Sequence, residues 1–321
     1  MTNNPLKATI NFHLQFLQET QNSLREKLFS VSPEKREVLW KTFDLDIPKI
    51  ENAFKEMVKE RNKFAKNKGF LSRTEMAKDS FKIPEEQISN FINNADKIIN
   101  ICNEKISKFN TKLPAWFYNE FNMPCFICQI PTFPYESTEE TFNKIVKQNN
   151  ILSKYRNKIS IQIENQSEMK YQKESDNFII VLDRKINTRH QISDLIHEMG
   201  HIIVYLQCFN KKIDPLKKGV YFREKEAIKI ETDILNKLSS DLYLATFYLE
   251  TLRLFHRTLF EIEIYKNPNQ DLCKLYASVF NQCYKAGQKT NRLFILDEDI
   301  IFNPFSSLPH TIAHANLLLN S

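Results

Sequence analysis

Two histidines and a glutamate lie within the five residues His197-Glu198-Met199-Gly200-His201. On a helix, side chains four residues apart are separated by about 40° around the axis and roughly one turn along it, so His197 and His201 can bind one ion. In the zinc peptidase pattern the glutamate between them is not a ligand, because it accepts a proton from the water that the metal activates. The spacing therefore indicates a zinc site with Glu198 as its general base.

The residues around this motif favour a helix. Thr188 and Gln191 have the spacing of a capping box. Gly200 is the only helix breaker in the run; it costs about 1 kcal/mol relative to alanine, so it marks a close approach by another backbone or by a substrate. The competing interpretation is a buried helix whose histidines are hydrogen-bonded to carbonyl groups. Apolar side chains recur at helical spacing: Ile192, Leu195, Ile196, Met199, Ile202, Ile203 and Leu206.

A zinc site with two histidines needs a third protein ligand. The segment 221–233 offers four acidic residues, and their spacing alone does not choose between them. The more ordinary interpretation of Glu224, Glu231 and Asp233 is a solvated helix face. The four candidates are Glu224, Glu226, Glu231 and Asp233.

The motif and three other segments resemble the oligoendopeptidase F and thimet oligopeptidase family of zinc peptidases. Segment 57–70 contains the Arg-Asn pair and the Gly-aromatic turn of that family, segment 252–263 resembles the part that packs behind the site, and segment 294–310 ends in Leu-Pro-His. In the family the third ligand is a glutamate that corresponds here to Glu226, 25 residues after His201.

Two further residues are candidates for supporting roles. Asp233 lies two turns after Glu226 on the same helix face, and we expect it to orient a ligand histidine. His310, from the Leu-Pro-His match, is expected to stabilise the oxyanion of the reaction. The resemblance thus implies one Zn²⁺ per chain, held by His197, His201 and Glu226, and a peptide or protein substrate.

The sequence departs from the family after His310. Relatives continue with several tyrosines, some of which donate hydrogen bonds to the oxyanion, whereas no tyrosine follows His310 here. Losing one such donor typically slows catalysis about 100- to 1000-fold. His314 is an alternative donor, and so is Tyr221, unless it is simply a packed aromatic. This departure motivates a second hypothesis, in which the protein keeps the fold and acts as a binding or scaffolding protein.

The composition is that of a folded, helix-rich protein. Of 321 residues, 42% are hydrophobic, 26% are charged and only 4 are glycine, which favours long helices over positive-φ turns. The net charge of +6 is spread along the chain without interleaved aromatics, so we expect no nucleic-acid partner.

Neither a secretory signal nor an apolar run of 18 residues is present, which predicts a protein without a membrane span that is cytoplasmic, or exported without a classical signal. The six cysteines are expected to be free thiols, including the Cys125–Cys128 pair.

The pattern along the chain predicts a mainly α fold of the zincin-like metallopeptidase type, with a small β-sheet before the metal-binding helix. Helical spacing is first seen at residues 9–30. Alternating apolar and polar residues predict a strand at 158–164, and a short apolar run that ends at an acidic residue predicts another at 177–183. One of these strands is the candidate edge against which an extended peptide pairs. We divide the chain into a helical part at 1–113, a proline- and aromatic-rich connection at 114–136 and a catalytic part at 137–321, which can pack as one compact unit. The predicted function is zinc-dependent endopeptidase activity.

Overall fold

A computed structural model describes residues 12–20, 35, 47–107, 137–164, 167–183, 188–238, 241–285, 294 and 297–320. The predicted connection at 114–136, with its Cys125–Cys128 pair, lies outside the described residues. After a helix at 12–20, the elements in chain order are α1 (Ile47–Asn67), α2 (Arg73–Phe81), α3 (Glu85–Ile106), α4 (Thr138–Gln148), α5 (Asn150–Lys154), β1 (Ile159–Glu164), β2 (Glu168–Gln172), β3 (Asn177–Asp183), α6 (Thr188–Asn210), α7 (Val220–Leu238), α8 (Asp241–Lys266), α9 (Leu272–Tyr284), α10 (Glu298–Phe302) and α11 (Leu308–Asn320). The prediction of a mainly helical fold with a small sheet before the motif helix is confirmed.

The chain forms two compact units. The first contains the described residues within 1–129 and 249–311, and the second contains those within 130–248 and 312–321. The segment 249–311 therefore belongs with the N-terminal helices, whereas the division drawn from the sequence places it in the catalytic part. Within the described ranges, no helix is both long enough and apolar enough to cross a membrane.

Aromatic side chains fill much of the core of the first unit. His256 of α8 lies among them, with its ring centroid 4.4 Å from that of Tyr276 and 5.3 Å from that of Phe280. Burial lowers the pKa of His256 to about 3, so this imidazole is neutral at physiological pH. We therefore assign His256 to the core.

Polar side chains of α8 hold the segment that leads into α11. The guanidinium of Arg257 donates to the Asp297 carboxylate (2.9 Å) and to the Ser307 hydroxyl (3.0 Å). One turn later, the Glu261 carboxylate accepts a hydrogen bond from the backbone N–H of Phe305 (2.7 Å), a residue in the left-handed region with φ of +67°. Because these groups are buried, they fix the start of α11.

The second unit contains a three-stranded sheet in the order β1-β3-β2. The central strand β3 pairs in parallel with β1, where Ile161 faces Ile180, and antiparallel with β2, where Met169 faces Ile180. Both predicted strands are present, and β1 is the one at an edge. Strand β2 lies at the other edge and is not predicted from the sequence, because Glu168–Gln172 carry two charges and no residue of the strand is fully buried.

Helices α6 and α7 approach each other closely at Gly200. A Cβ atom added at Gly200 would lie 2.8 Å from the carbonyl oxygen of Ala227, which is closer than real Cβ atoms come to backbone. Val204 and Cys208 continue the contact along α6 and pack with Ala227. The prediction that Gly200 marks a close backbone approach is confirmed, and the neighbour is α7.

Replacing Gly200 with alanine is expected to destabilise the protein. Although alanine gains about 1 kcal/mol in helix propensity, the clash with a backbone carbonyl resembles overpacking of a core, which typically costs 1–3 kcal/mol. The exposed Gln207 of α6 provides the control, since Gln207→Ala changes propensity without a clash. Thermal unfolding followed by circular dichroism measures both. A Gly200→Ala protein with an unchanged or higher melting temperature would contradict this packing.

Candidate metal centre

Helix α6 presents His197 and His201 on one face. Their ring centroids are 4.8 Å apart and their planes are perpendicular, and both side chains are largely buried, at 17% and 12% exposure. The ligating atoms of these two histidines and of Glu198 all lie within 4.8 Å of one another. The structure thus brings the three residues of the motif together.

Glu224 of α7 supplies a carboxylate to both histidines. Its Oε2 atom lies 3.3 Å from Nε2 of His197 and 3.2 Å from Nε2 of His201, and the residue is only 7% exposed. In place of Glu226, which the family spacing selects, the structure therefore puts Glu224 beside the imidazoles. Glu226 lies near the thiol of Cys208, whose pKa is raised by burial and further by the Glu226 charge.

The rotation of α7 explains this two-residue difference. Helical geometry places Glu224 about 60° and Glu231 about 40° to one side of Ala227, whereas Glu226 lies about 100° and Asp233 about 120° to the other side. Because Ala227 faces α6, only the first pair turns toward the histidines. Counting 25 residues from His201 to Glu226 assumes that the connection between α6 and α7 has the same length as in the family. The packing of α7 against α6 shows a different rotation of α7 about its axis.

Glu231 contacts the ring nitrogen of His197 that does not face Glu224. Its Oε2 atom lies 2.9 Å from Nδ1 of His197, which leaves Nε2 directed at Glu224. Although burial disfavours a charged imidazole, the carboxylates of Glu224 and Glu231 hold the pKa of His197 well above its usual value. The role expected for Asp233 therefore falls to Glu231. Seven residues separate Glu224 from Glu231, and seven also separate Glu226 from Asp233. The sequence therefore offers both pairs at the spacing expected of a ligand and the carboxylate that orients a ligand histidine.

The donor set fits a zinc ion. Imidazole nitrogens and a carboxylate oxygen are common zinc ligands, and atoms bound at about 2.0–2.1 Å around a tetrahedral ion lie roughly 3.3 Å apart. The two distances from Glu224 to the histidine nitrogens, 3.3 and 3.2 Å, agree with that separation. His197, His201 and Glu224 are therefore candidate ligands for a metal ion.

The candidate oxyanion donors lie on other elements. His310 is a half-buried residue near the start of α11, in the part of that helix that belongs to the first unit. Its role as oxyanion donor stays a prediction. In the second unit, the His314 ring stacks on Phe247 with centroids 4.7 Å apart, and the hydroxyl of Tyr221 accepts a hydrogen bond.

Comparison with known proteins supports a peptidase-like fold. No protein-family model and no curated protein matches the sequence. A protein from Bacillus anthracis str. Ames assigned as an oligoendopeptidase F has a similar structure, with a TM-score of 0.55 and 15% identity over 83% of this chain and 52% of its own. PZ peptidase A, solved with an inhibitor, gives a TM-score of 0.59 and 13% identity over 83% of this chain and 54% of its own. The fold is zincin-like and related to that of these peptidases. The chain spans about half the length of either structure, and the relationship to oligoendopeptidases is confirmed at the level of fold.

The assignment of Glu224 predicts a difference between two matched variants. Glu224→Gln keeps the shape of the side chain and removes its charge, so zinc affinity should fall by more than the 10- to 100-fold typical of outer partners. Glu226→Gln makes the same chemical change on the opposite face of α7 and should leave the affinity nearly unchanged. Competition with a chromophoric chelator measures both constants. Equal losses, or a larger loss for Glu226→Gln, would show that the assignment is incorrect.

The orienting role of Glu231 predicts a smaller effect. Glu231→Gln retains a side chain that can still accept a hydrogen bond from Nδ1 of His197 but removes the charge, so zinc affinity should drop about 10- to 100-fold. Asp233→Asn, two residues further along α7, is the control and should bind zinc as the wild type does. The same chelator competition distinguishes them, and a stronger effect of Asp233→Asn would restore the original assignment.

Proposed function

We propose that the protein is a zinc-dependent endopeptidase. The observation that carries this proposal is the Glu224 carboxylate oxygen lying 3.3 and 3.2 Å from the Nε2 atoms of His197 and His201, beside Glu198 and within a peptidase-like fold. His197, His201 and Glu224 hold the ion, and Glu231 keeps the His197 ring in its orientation.

Zinc held by His197, His201 and Glu224 would supply Lewis-acid chemistry, which would polarise a peptide carbonyl and lower the pKa of the attacking water toward about 7. Glu198 then accepts the proton of the attacking water as general base. The residue is only 8% exposed, and a site that excludes water favours keeping this proton for the leaving amine. Glu198 therefore serves first as base and then as acid.

His310 is the proposed donor to the oxyanion, on the basis of its Leu-Pro-His context. The contacts of Arg257 and Glu261 with the segment 297–307 support a fixed position for the start of its helix. The substrate is proposed to be a peptide or a protein segment. Strand β1 supports this, since it lies at an edge of the three-stranded sheet among the described residues, and sheet edges are where extended peptides pair with proteins.

Glu198→Gln is the central test of this function. Removing the general base should lower kcat about 100- to 10,000-fold while zinc remains bound, because the ligands are unchanged. Glu226→Gln is the matched control and should hydrolyse peptides normally. Cleavage of a quenched fluorescent peptide library, measured beside zinc content, gives both readouts.

A chelator should abolish the hydrolysis and added zinc should restore it. Full activity in Glu198→Gln, or activity that survives complete zinc removal, would rule out this mechanism. Tightly bound zinc in a wild-type protein that cleaves no peptide of the library would favour the binding or scaffolding hypothesis.

A further inference from the structure

We propose that Arg223 and Tyr205 form a subsite that binds a carboxylate of the substrate, so that the protein prefers peptides with an acidic group a few residues from the cleaved bond. The inference rests on the proposed function and names its substrate class. The residues that carry it belong to the second unit, as the candidate zinc ligands do.

Arg223 and Tyr205 lie beside the residues of α7 and α6 that carry the candidate ligands. Arg223 immediately precedes Glu224, and Tyr205 follows His201 by four residues, which puts the Cβ atoms of Tyr205 and His201 about 5–6 Å apart. The Nη1 atom of Arg223 lies 3.4 Å from the Tyr205 hydroxyl. Because an extended peptide advances about 3.3 Å per residue, a group bound here belongs to a residue about two to four positions from the cleaved bond.

One stripe of rings along α6 connects this subsite with the candidate metal centre. His197, His201, Tyr205 and Phe209 recur at every fourth residue, and each step turns the stripe by only about 40°. The stripe reaches the surface at Phe209, which is 36% exposed. The Phe209 ring centroid lies 5.8 Å from that of Tyr205 and 5.1 Å from that of Tyr171 in β2. A substrate that extends along this stripe therefore meets an apolar surface beside the guanidinium.

Arg223 carries a positive charge with which no described carboxylate forms an ion pair. The residue is partly buried, and its Nε atom is inaccessible and has no hydrogen-bond partner. The contact of Nη1 goes to a neutral hydroxyl and, at 3.4 Å, is longer than an optimal hydrogen bond. Withdrawing a guanidinium from water without an anion is unfavourable. A carboxylate of the substrate that docks here supplies the missing negative charge.

The two side chains match the shape of a carboxylate. A guanidinium is a planar fork of donors that binds both oxygens of a carboxylate through parallel hydrogen bonds. The Tyr205 hydroxyl lies beside this fork, and its 7% exposure keeps the ring in place. Within the described residues this hydroxyl makes no other hydrogen bond, so it can donate to the same ligand. In a peptide, the groups with this shape and charge are the side chains of aspartate and glutamate and the terminal carboxylate.

Paired peptides that differ in one group test the preference. Each pair of quenched fluorescent peptides carries glutamate or glutamine at one position, two to four residues from the cleaved bond on either side. A further pair has a free or an amidated C-terminus, which distinguishes a side-chain carboxylate from the terminal one. We expect the wild-type kcat/KM to be about 10-fold higher for the acidic member of one pair, because a charge-assisted hydrogen bond replaces a neutral one. Ratios near 1 in every pair would overturn the proposal.

Arg223→Met shows whether the guanidinium carries this preference. Methionine keeps an unbranched side chain without the charge, so the ratio should fall from about 10 to near 1, whereas Arg223→Lys retains the charge and should keep part of the preference. Lys225→Met is the matched control, because it removes the same charge from an exposed position of α7, and it should show the wild-type ratio. A folding defect lowers both rates of a pair together and leaves their ratio unchanged. A wild-type ratio in Arg223→Met would therefore overturn the role of Arg223.

Peptide binding to the zinc-loaded Glu198→Gln protein separates this inference from the function beneath it. Fluorescence anisotropy of the same peptide pairs measures Kd without hydrolysis. Tighter binding of the acidic member, lost when Arg223→Met is added, supports the subsite. If the wild type then cleaves no peptide, the peptidase function alone is overturned. Zinc-dependent hydrolysis with no preference for the acidic member, in rate or in binding, overturns the subsite alone.

Discussion

The backbone contact between Gly200 and Ala227 determines the arrangement of the whole site. Because a Cβ at Gly200 would lie 2.8 Å from the Ala227 carbonyl oxygen, the two helices pack closely at this position. The contact sets the rotation of α7, and that rotation turns Glu224 and Glu231 toward α6. A chain with the same histidines but a different helix rotation would present other side chains to them.

The electrostatics of the site follow from this packing. Glu198, Glu224 and Glu231 are buried within the second unit, and two of them lie against His197. Burying carboxylates is unfavourable unless positive charge or hydrogen bonds compensate them. Burial alone would lower the pKa of His197, yet its two carboxylate partners hold that pKa well above the usual value. Positive charge beside these carboxylates thus stabilises the site, and the proposed zinc ligands His197, His201 and Glu224 are where a bound cation would supply it.

Each compact unit fixes the position of its own residues. In the second unit, the central strand β3 is buried on both faces, and α6 and α7 supply the proposed ligands. In the first unit, Arg257 and Glu261 of α8 hold the residues that precede His310. Segment 249–311 belongs to the same unit as the N-terminal helices, although it follows α6 and α7 in sequence. The resemblance to peptidases in segments 57–70 and 252–263 therefore falls within one structural unit, separate from the motif.

The sequence by itself determined what depends on neighbouring positions along one element. The motif helix, its two histidines on one face and strand β1 follow from spacing, because helical and extended backbones have fixed periods. Strand β3 follows from a short apolar run, and the close contact at Gly200 follows from the cost of a glycine within a helix. Only the tertiary structure decided that Glu224 and Glu231, rather than Glu226 and Asp233, face the histidines. The relative rotation of two helices joined by a connection depends on how their surfaces pack, and a shift of two residues turns a helical side chain by about 200°. Strand β2 likewise exists because β3 offers it a partner, which its own residues do not reveal.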